Sequence, residues 1–312
     1  METCLVTGGA GFIGSHLCDL LVGKGYKVIC VDNLITGSEK NIEQLKDNPN
    51  FEFKKLDIVK DEVNVEKIDY LFHLASPASP IDYQNHPEET ALVNSIGTIN
   101  MLNLAKKSGA KFLLASTSEV YGDPKEHPQK ENYWGNVNSF GSRSCYDESK
   151  RFAETMTYIY LHKYGIDARI VRIFNTYGSR MQRDDGRVIS NFINAAINDK
   201  PLEIYGEGNH TRSFCFISDM VDGLEKAMFS EKTKGEVFNL GNPDEYQVIN
   251  LAQKIITMTN SRSQIVYKPA LPDDPKQRQP DIAKAKQLLN WEPKVPLDEG
   301  LKLTIDYYES FI

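Results

Sequence analysis

The sequence has few of the features that mark several large classes of protein. Its five cysteines form an odd set without a Cys-x-x-Cys pair, and its six histidines show no metal-ligand spacing, so we predict neither a disulfide scaffold nor a metal site. No apolar run has the length of a membrane span, and the first residues do not read as a secretory leader. The net charge of −7 argues against nucleic acid as the main partner. We therefore expect a cytoplasmic protein that acts on small molecules, with no membrane partner.

Apolar runs typical of buried strands alternate with amphipathic stretches typical of helices up to about residue 175. The strand-like runs cover residues 3–7, 27–31, 51–55, 70–74, 112–115 and 168–174, and the longest helix-like stretches cover 87–108 and 146–164. This alternation predicts a doubly wound parallel α/β sheet of the Rossmann type, whose ligands bind beyond the carboxyl ends of the strands. After Gly178 the elements shorten, which predicts a smaller α/β domain interleaved with the last strands. We expect residues 1–178 and about 214–241 in the first domain, and about 179–213 and 242–312 in the second.

The glycine-rich stretch at residues 8–14, Gly-Gly-Ala-Gly-Phe-Ile-Gly, lies between the first strand and the first helix. Gly8 allows a tight turn, Gly11 lets a pyrophosphate approach the helix N-terminus, and Gly14 lets the helix pack closely on the strand. Asp32 follows 18 residues after Gly14 at the end of the second strand, where its carboxylate would accept from ribose hydroxyls. Because this carboxylate would repel a 2′-phosphate, the stretch predicts NAD rather than NADP.

A group of hydroxyls and a carboxylate follows the fifth strand, and a Tyr-x-x-x-Lys pattern follows further along. Tyr146 and Lys150 stand four residues apart at the start of a predicted helix, so they share a face. We predict that the Lys150 ammonium lowers the pKa of the Tyr146 phenol and binds the nicotinamide ribose, which makes the phenolate a base near neutral pH. The Thr117 hydroxyl would stabilise a reacting carbonyl oxygen. Together these groups indicate a hydride-transfer site.

These motifs resemble those of the extended short-chain dehydrogenase/reductase family along nearly the whole chain. The family-like stretches include TGGAGFIGSHL at 7–17, LLASTSEVYG at 113–122, YDESK at 146–150 and RIFNTYG at 172–178. Within that family the chain is most similar to the UDP-glucuronate decarboxylases (UDP-xylose synthases), through HLASPASPIDY at 73–83, GRVISNFI at 186–193 and RQPDIAKAKQLLNWEP at 278–293. The resemblance implies that UDP-glucuronate is the substrate and UDP-xylose the product. It also implies a homodimer that pairs through the helices at 87–108 and 146–164.

The resemblance further implies a reaction sequence and a set of residues. C4 of the sugar is oxidised with NAD to a UDP-4-keto intermediate, CO₂ is lost, and C4 is reduced again. The implied catalytic residues are Thr117, Ser118, Glu119, Tyr146, Lys150 and Arg278. The predicted cofactor-binding residues are Gly8, Gly11, Phe12, Ile13, Gly14, Asp32, Asn33, Asp57, Ile58, Leu74, Ala75, Tyr146 and Lys150. The predicted substrate-binding residues are Tyr83, Asn175, Arg180, Val188, Asn191, Tyr205, Arg212 and Arg278.

Single positions separate this interpretation from its alternatives. Ser118 stands where the similar 4,6-dehydratases carry an aspartic acid, and Glu119 is a residue that the 4-epimerases usually lack. A non-catalytic NAD-binding protein of this fold would tend to lose the pair formed by Tyr146 and Lys150. Leu92 occupies a position at which the family usually has lysine, so a 2-acetamido uronate nucleotide stays open as an alternative substrate.

Overall fold

The computed structural model describes residues 1–269 and 277–311. Its strands are β1 (Thr3–Thr7), β2 (Lys27–Asp32), β3 (Phe51–Lys55), β4 (Tyr70–His73), β5 (Lys111–Thr117), β6 (Ala168–Ile173), β7 (Thr176–Tyr177), β8 (Leu202–Tyr205), β9 (Thr211–Ser213), β10 (Cys215–Phe216), β11 (Val237–Leu240), β12 (Glu245–Gln247) and β13 (Ile265–Lys268). Its α-helices are α1 (Phe12–Gly23), α2 (Pro80–Asn85), α3 (Pro87–Leu92), α4 (Thr98–Ser108), α5 (Ser144–Tyr164), α6 (Val188–Ile197), α7 (Ile217–Phe229), α8 (Val248–Met258), α9 (Ala283–Leu289) and α10 (Leu297–Glu309). Within the described residues, no helix combines the length and the apolar surface needed to cross a lipid bilayer.

Seven strands form one sheet in the order β11-β6-β5-β4-β1-β2-β3, and all their pairings are parallel. β1 is buried throughout and β5 is buried after its first residue, as a parallel sheet covered on both faces requires. Helices α1 and α7 cover one face, where Leu17 and Leu224 belong to one apolar cluster. Helices α4 and α5 cover the other face, with Leu102 and Ala153 in a second cluster. The predicted doubly wound, Rossmann-type sheet is therefore confirmed.

The helix predicted at 87–108 is confirmed, but it is not α-helical throughout. A π-helical turn, Val93–Gly97, separates α3 from α4. Asn94 lies in this turn and is buried, and its side-chain amide donates to the hydroxyl oxygens of Ser76 at 3.0 Å and Ser149 at 3.1 Å. Insertions of this kind re-aim side chains and often occur near functional sites. Here the turn fastens the α3–α4 segment to the loop after β4 and to α5.

The second half of the chain forms small sheets and returns once to the main sheet. β9 pairs antiparallel with β12, β8 pairs parallel with β13, and β7 pairs parallel with β10. β11 joins the main sheet beside β6, which interleaves the two halves as expected. Trp291 is buried against α7 and donates its indole N–H to the Asp219 carbonyl oxygen at 2.9 Å. The Asp219 carboxylate accepts from the backbone N–H groups of Lys294 and Val295, which fastens the C-terminal segment to α7.

Candidate active site

A large cavity lies at the carboxyl edge of the main sheet and extends to the second half of the chain. Its volume is about 820 Å³, which is within the range of small-molecule sites in proteins. Every residue that the sequence predicts for catalysis, cofactor binding or substrate binding lines this cavity. The fold thus brings all of them into one site, while the role of each residue stays a prediction.

The glycine-rich turn carries backbone N–H groups to the cavity. Gly8 has a φ of +71°, a conformation that glycine adopts without strain. A Cβ atom at Gly14 would overlap the Gly8 carbonyl oxygen, so the first turn of α1 packs directly on the glycine turn. Gly11 precedes α1, and Phe12 and Ile13 begin it at the cavity wall. The free N–H groups and the dipole at this helix end favour an anion such as a pyrophosphate.

Replacing Gly14 with alanine should abolish tight dinucleotide binding, because the added methyl group pushes the glycine turn away from α1. We expect the Kd for NAD, measured by calorimetry, to rise by about a hundredfold, which corresponds to about 2.7 kcal/mol. Gly23→Ala is the matched control, since Gly23 lies on the same helix and an added Cβ would meet no atom within 4 Å. Equal Kd values for the two variants would contradict the assignment of this turn to the cofactor.

Asp32 ends β2 and has acceptor capacity to spare. Its carboxylate accepts from the backbone N–H groups of Ala10 at 3.0 Å and Leu34 at 2.8 Å. Burial raises its pKa, and these two hydrogen bonds act in the opposite direction. A carboxylate offers about four acceptor positions, so ribose hydroxyls can still donate to it. The other predicted cofactor residues follow β2, β3 and β4 along the same edge, namely Asn33, Asp57, Ile58, Leu74 and Ala75. The glycine turn and this edge together fit NAD.

β5 ends in a turn that carries Thr117, Ser118 and Glu119 into the cavity wall. The Thr117 hydroxyl oxygen accepts from the backbone N–H of Glu119 at 3.2 Å and caps the short 3₁₀ turn Ser118–Tyr121. The Thr117 hydroxyl also forms a hydrogen bond with Tyr146. It therefore both caps the turn and contacts the phenol. The cap and the contact with Tyr146 together fix where the carboxylate and the hydroxyl stand relative to the phenol.

Tyr146 and Lys150 both line the cavity. The Lys150 ammonium donates to the Ala115 carbonyl oxygen at 2.9 Å and lies 5.9 Å from the centre of the Tyr146 ring. Burial raises the pKa of Tyr146, while the hydrogen bond with Thr117 and the charge of Arg187 act in the opposite direction. Burial also lowers the pKa of Lys150 to about 7. Burial is therefore the main influence on the pKa of Tyr146 in the protein alone, and the expected lowering by Lys150 stays a prediction.

The Tyr83 ring stacks on the Tyr146 ring and restricts its orientation. The ring centroids are 5.1 Å apart and the planes differ by 6°. Tyr83 comes from α2, whose N-terminus is capped by Ser79, since the Ser79 hydroxyl oxygen accepts from the backbone N–H of Asp82 at 3.1 Å. The Tyr83 hydroxyl is buried and has no hydrogen-bond partner among residues 1–269 and 277–311. An oxygen atom of a bound sugar can supply that partner.

Two arginines hold the Glu119 carboxylate at the cavity. Arg143 donates to it, and Nη2 of Arg278 approaches it at 3.4 Å. Arg278 is buried and also donates to the carbonyl oxygens of Ser118 and Gly122, the latter at 2.9 Å. Burial alone would raise the pKa of Glu119, but the charges of Arg278 and Arg143 outweigh it and hold the pKa below its ordinary value. Glu119 is therefore an anion between two cations, an arrangement with positive charge left over for an anionic substrate.

Arg143 and Asp147 are functional candidates that the sequence analysis missed. They flank Tyr146 at the start of α5, and Nε of Arg143 lies 3.9 Å from the Asp147 carboxylate. Burial and the negative charge of Glu119 raise the pKa of Asp147 to about 7. Arg143 stands three residues before Tyr146. This helical spacing was a signal in the sequence that could have placed the Arg143 and Tyr146 side chains on the same face of the helix.

The remaining predicted substrate residues line the part of the cavity that the second half of the chain and the end of β6 provide. They are Asn175, Arg180, Val188, Asn191, Tyr205 and Arg212. Arg180 pairs with Asp19 of α1 at 2.7 Å and so links this part of the chain to the glycine-turn helix. Arg212 contributes positive charge near Glu119, because it lowers the pKa of that carboxyl group. The second half therefore adds cations to both sides of the cavity.

Comparison with known proteins places this site in a family. The family model described as GDP-mannose 4,6 dehydratase matches residues 5–304. UDP-glucuronic acid decarboxylase 1 of Danio rerio is 52% identical over 304 residues, which cover 97% of this chain and 72% of the relative. UDP-glucuronic acid decarboxylase 6 of Arabidopsis thaliana is 52% identical over 300 residues, which cover 96% of this chain and 86% of the relative.

Solved structures share the fold over the full length. The UDP-glucuronic acid 4-epimerase from Bacillus cereus, in complex with UDP-glucuronic acid and NAD, matches with a TM-score of 0.92 at 30% identity over 100% of both chains. The UDP-glucose 4-epimerase of Thermotoga maritima, with UDP-glucose, matches with a TM-score of 0.91 at 33% identity over 99% of both chains. The family match over residues 5–304, the shared fold and the Tyr146–Lys150 site show that the chain belongs to the extended short-chain dehydrogenase/reductase family.

Proposed function

We propose that this protein is an NAD-dependent UDP-glucuronate decarboxylase, which forms UDP-xylose through a UDP-4-keto intermediate. The observation that carries the proposal is the Glu119 carboxylate, held by Arg143 and Arg278 next to the hydrogen-bonded pair of Thr117 and Tyr146. Groups suited to a sugar carboxylate thus adjoin groups suited to oxidation at C4. Relatives that are 52% identical over nearly the full chain are named for this activity.

The glycine turn, the start of α1 and Asp32 would hold NAD, and Lys150 would bind its nicotinamide ribose. NAD, when bound, supplies the hydride acceptor at C4 and later the hydride donor. Because the reaction returns the cofactor to its starting state, we expect it to be held tightly. We infer that residues 1–178 and about 214–241 form the cofactor domain, and that about 179–213 and 242–312 bind the nucleotide sugar. The return of β11 to the main sheet supports this division.

Tyr146 acts as the base that takes the proton of the C4 hydroxyl, and the Thr117 hydroxyl donates to the C4 oxygen. Since burial raises the pKa of Tyr146, the phenolate needs positive charge nearby when it forms. The Lys150 ammonium, 5.9 Å from the ring centre, provides part of that charge. After proton transfer, Tyr146 is a neutral phenol that can donate a hydrogen bond to the oxygen at C4.

Oxidation at C4 leaves the substrate carboxylate β to a ketone. Loss of CO₂ then forms an enolate, whose oxygen is stabilised by Thr117 and by the neutral phenol of Tyr146. Arg143 and Arg278 orient the carboxylate before it leaves. Arg278 does not itself protonate C5, because a guanidinium does not readily release a proton. Glu119 is held as an anion and so serves to position the proton donor, for which a water molecule suffices.

The activity is tested by incubating the purified protein with UDP-glucuronate and NAD and measuring CO₂ release and the mass of the product. A decarboxylase gives a product lighter by CO₂, an epimerase gives one of unchanged mass, and a dehydratase gives one lighter by water. A parallel incubation with the 2-acetamido uronate nucleotide tests the Leu92 position, which lines the cavity. If no uronic-acid nucleotide turns over, the proposal fails.

We also propose that the protein is a homodimer that pairs through α5 and the helical segment at 87–108. Apolar side chains are exposed there, with Phe152 at 42%, Ile159 at 38% and Ile96 at 43% of their full exposure. Phe152 and Ile159 are seven residues apart on α5 and so lie on one face. Replacing both with glutamate should convert a dimer into a monomer in sedimentation velocity. A monomeric wild-type protein would refute the proposal directly.

A cytoplasmic location is proposed as well. All five cysteines are free thiols, which fits a reducing compartment. Cell fractionation followed by detection of the protein tests the location, and recovery with a membrane or secreted fraction would contradict it.

A further inference from the structure

Glu154 belongs to a polar cluster just behind the wall of the active-site cavity. It lies on α5 four residues after Lys150, so the two side chains share a helix face. Its side chain is 15% exposed, and it is not among the residues that line the cavity. The reaction scheme above gives it no direct contact with substrate or cofactor.

The Glu154 carboxylate connects α5 to two strands of the main sheet. Oε1 accepts from the Ser116 hydroxyl at 2.6 Å and from Nε of Arg172 at 2.9 Å, while Oε2 accepts from Nη2 of Arg172 at 2.8 Å. Arg172 in turn donates to the Tyr121 hydroxyl and to the Glu131 carbonyl oxygen, each at 2.9 Å. A two-bond contact between a guanidinium and a carboxylate is rigid as well as strong. Glu154 is therefore held in one place.

The position of Ser116 connects this cluster to the reacting groups. Ser116 lies between Ala115, whose carbonyl oxygen accepts from Lys150, and Thr117, which bonds to Tyr146. A shift of the Ser116 side chain would therefore move both contacts that set the geometry of the catalytic pair. The hydroxyl donated to Glu154 is the side-chain contact that fixes this residue on α5.

The charges around Lys150 give Glu154 a second role. The titratable or charged groups that face Lys150 are Tyr146 and Glu154 on its own helix, His73 from β4 and, beyond Glu154, Arg172 from β6. His73 is neutral under ordinary conditions, because burial and Lys150 lower its pKa to about 3. Burial lowers the pKa of Lys150, and Glu154 supplies the negative charge that acts in the opposite direction.

We propose that Glu154 is a positioning residue, which fixes the end of β5 through Ser116 and keeps the Lys150 side chain in its ammonium form. This inference rests on the proposed decarboxylase activity, in which the ammonium supports Tyr146. Removal of the carboxylate then shifts the pH range in which the enzyme works and does more than loosen the fold. Loss of the ammonium as the pH rises is the step that Glu154 delays.

The test is the pH profile of kcat for CO₂ release, at saturating NAD and UDP-glucuronate, from about pH 5 to about pH 10. The alkaline limb is the one on which the rate falls as the pH rises. Glu154→Gln keeps the size of the side chain and should move the alkaline limb about one unit lower, a rate about tenfold lower on that limb. Glu154→Asp should restore the wild-type limb, because it keeps the charge. Ser116→Ala should lower kcat and leave the limb where it is, because the carboxylate remains. A Glu154→Gln limb that coincides with the wild-type limb overturns the proposal.

Arg172→Gln decides the matter if Glu154→Gln does not fold. Loss of the guanidinium leaves the Glu154 carboxylate less neutralised, so the alkaline limb should move to higher pH. A limb that stays in place or moves lower overturns the proposal. The wild-type profile separates this inference from the proposed function, because a wild-type protein without CO₂ release would refute the function itself.

Discussion

Tyr146→Phe should lower the rate of CO₂ release by about a thousandfold, within the range that general acid–base catalysis contributes. The substitution keeps the ring and its stacking on Tyr83, but it removes the oxygen that takes the C4 proton. Without that transfer, C4 is not oxidised and the carboxylate never becomes β to a ketone. The absorbance of reduced cofactor after rapid mixing with UDP-glucuronate should therefore fall together with CO₂ release.

Tyr160→Phe is the matched control for this variant. Tyr160 lies on the same helix, and its hydroxyl donates to the Asn103 side chain at 2.7 Å away from the cavity. The Tyr160→Phe variant loses a phenol oxygen, as Tyr146→Phe does, but it should keep the wild-type rate of CO₂ release. Thermal unfolding of both variants should show that the fold is intact. If Tyr146→Phe retained a tenth or more of the wild-type rate, another group would have to be the base.

The main sheet could be predicted because its signals are local and agree with one another. The apolar stretches inside β1 and β5, residues 4–6 and 112–115, are continuous, and in the structure both strands are buried by helices on each face. The glycine turn could also be predicted from the sequence, because the packing of Gly14 against Gly8 leaves no room for a side chain. Asp32 follows at the end of the next strand, where the pattern places it. These features depend on spacing within one strand–helix–strand unit.

The features that were not predicted depend on contacts between distant segments. The π-helical turn Val93–Gly97 is explained by the hydrogen bonds from Asn94 to Ser76 and Ser149. The spacing of residues within 87–108 does not predict these two partners. The raised pKa of Tyr146 follows from burial, whereas the sequence showed only that Lys150 stands four residues away.

The Glu119 site was predicted only in part, for the same reason. The resemblance of the chain to the family led us to expect Arg278 among the catalytic residues, together with Glu119. Arg143 was not expected, although it forms the closer contact with Glu119. Its place in the cluster depends on the loop before α5 approaching the end of β5. That approach is a tertiary contact. In the sequence it was indicated only by the spacing of three residues between Arg143 and Tyr146.

Glu119→Gln should separate the two halves of the reaction. Thr117 and Tyr146 keep their places, so oxidation at C4 should continue and reduced cofactor should accumulate. Release of CO₂ and formation of UDP-xylose should fall by about a hundredfold, because the neutral amide no longer holds the two arginines that orient the carboxylate or the water that protonates C5. The measurement is a single-turnover experiment that follows cofactor absorbance and trapped CO₂ on the same sample.

The same substitution should also destabilise the fold, because it removes a charge that two arginines share. Arg278 is 2% exposed and would keep its hydrogen bonds to carbonyl oxygens while losing its ionic partner. We expect the free energy of unfolding to fall by about 1–3 kcal/mol. Glu236→Gln is the control, since that carboxylate pairs with Lys284 at 2.6 Å and does not line the cavity. It should leave both half-reactions unchanged. If Glu119→Gln lost cofactor reduction and CO₂ release to the same extent, Glu119 would serve the oxidation itself, and the separate roles given to Tyr146 and Glu119 would be wrong.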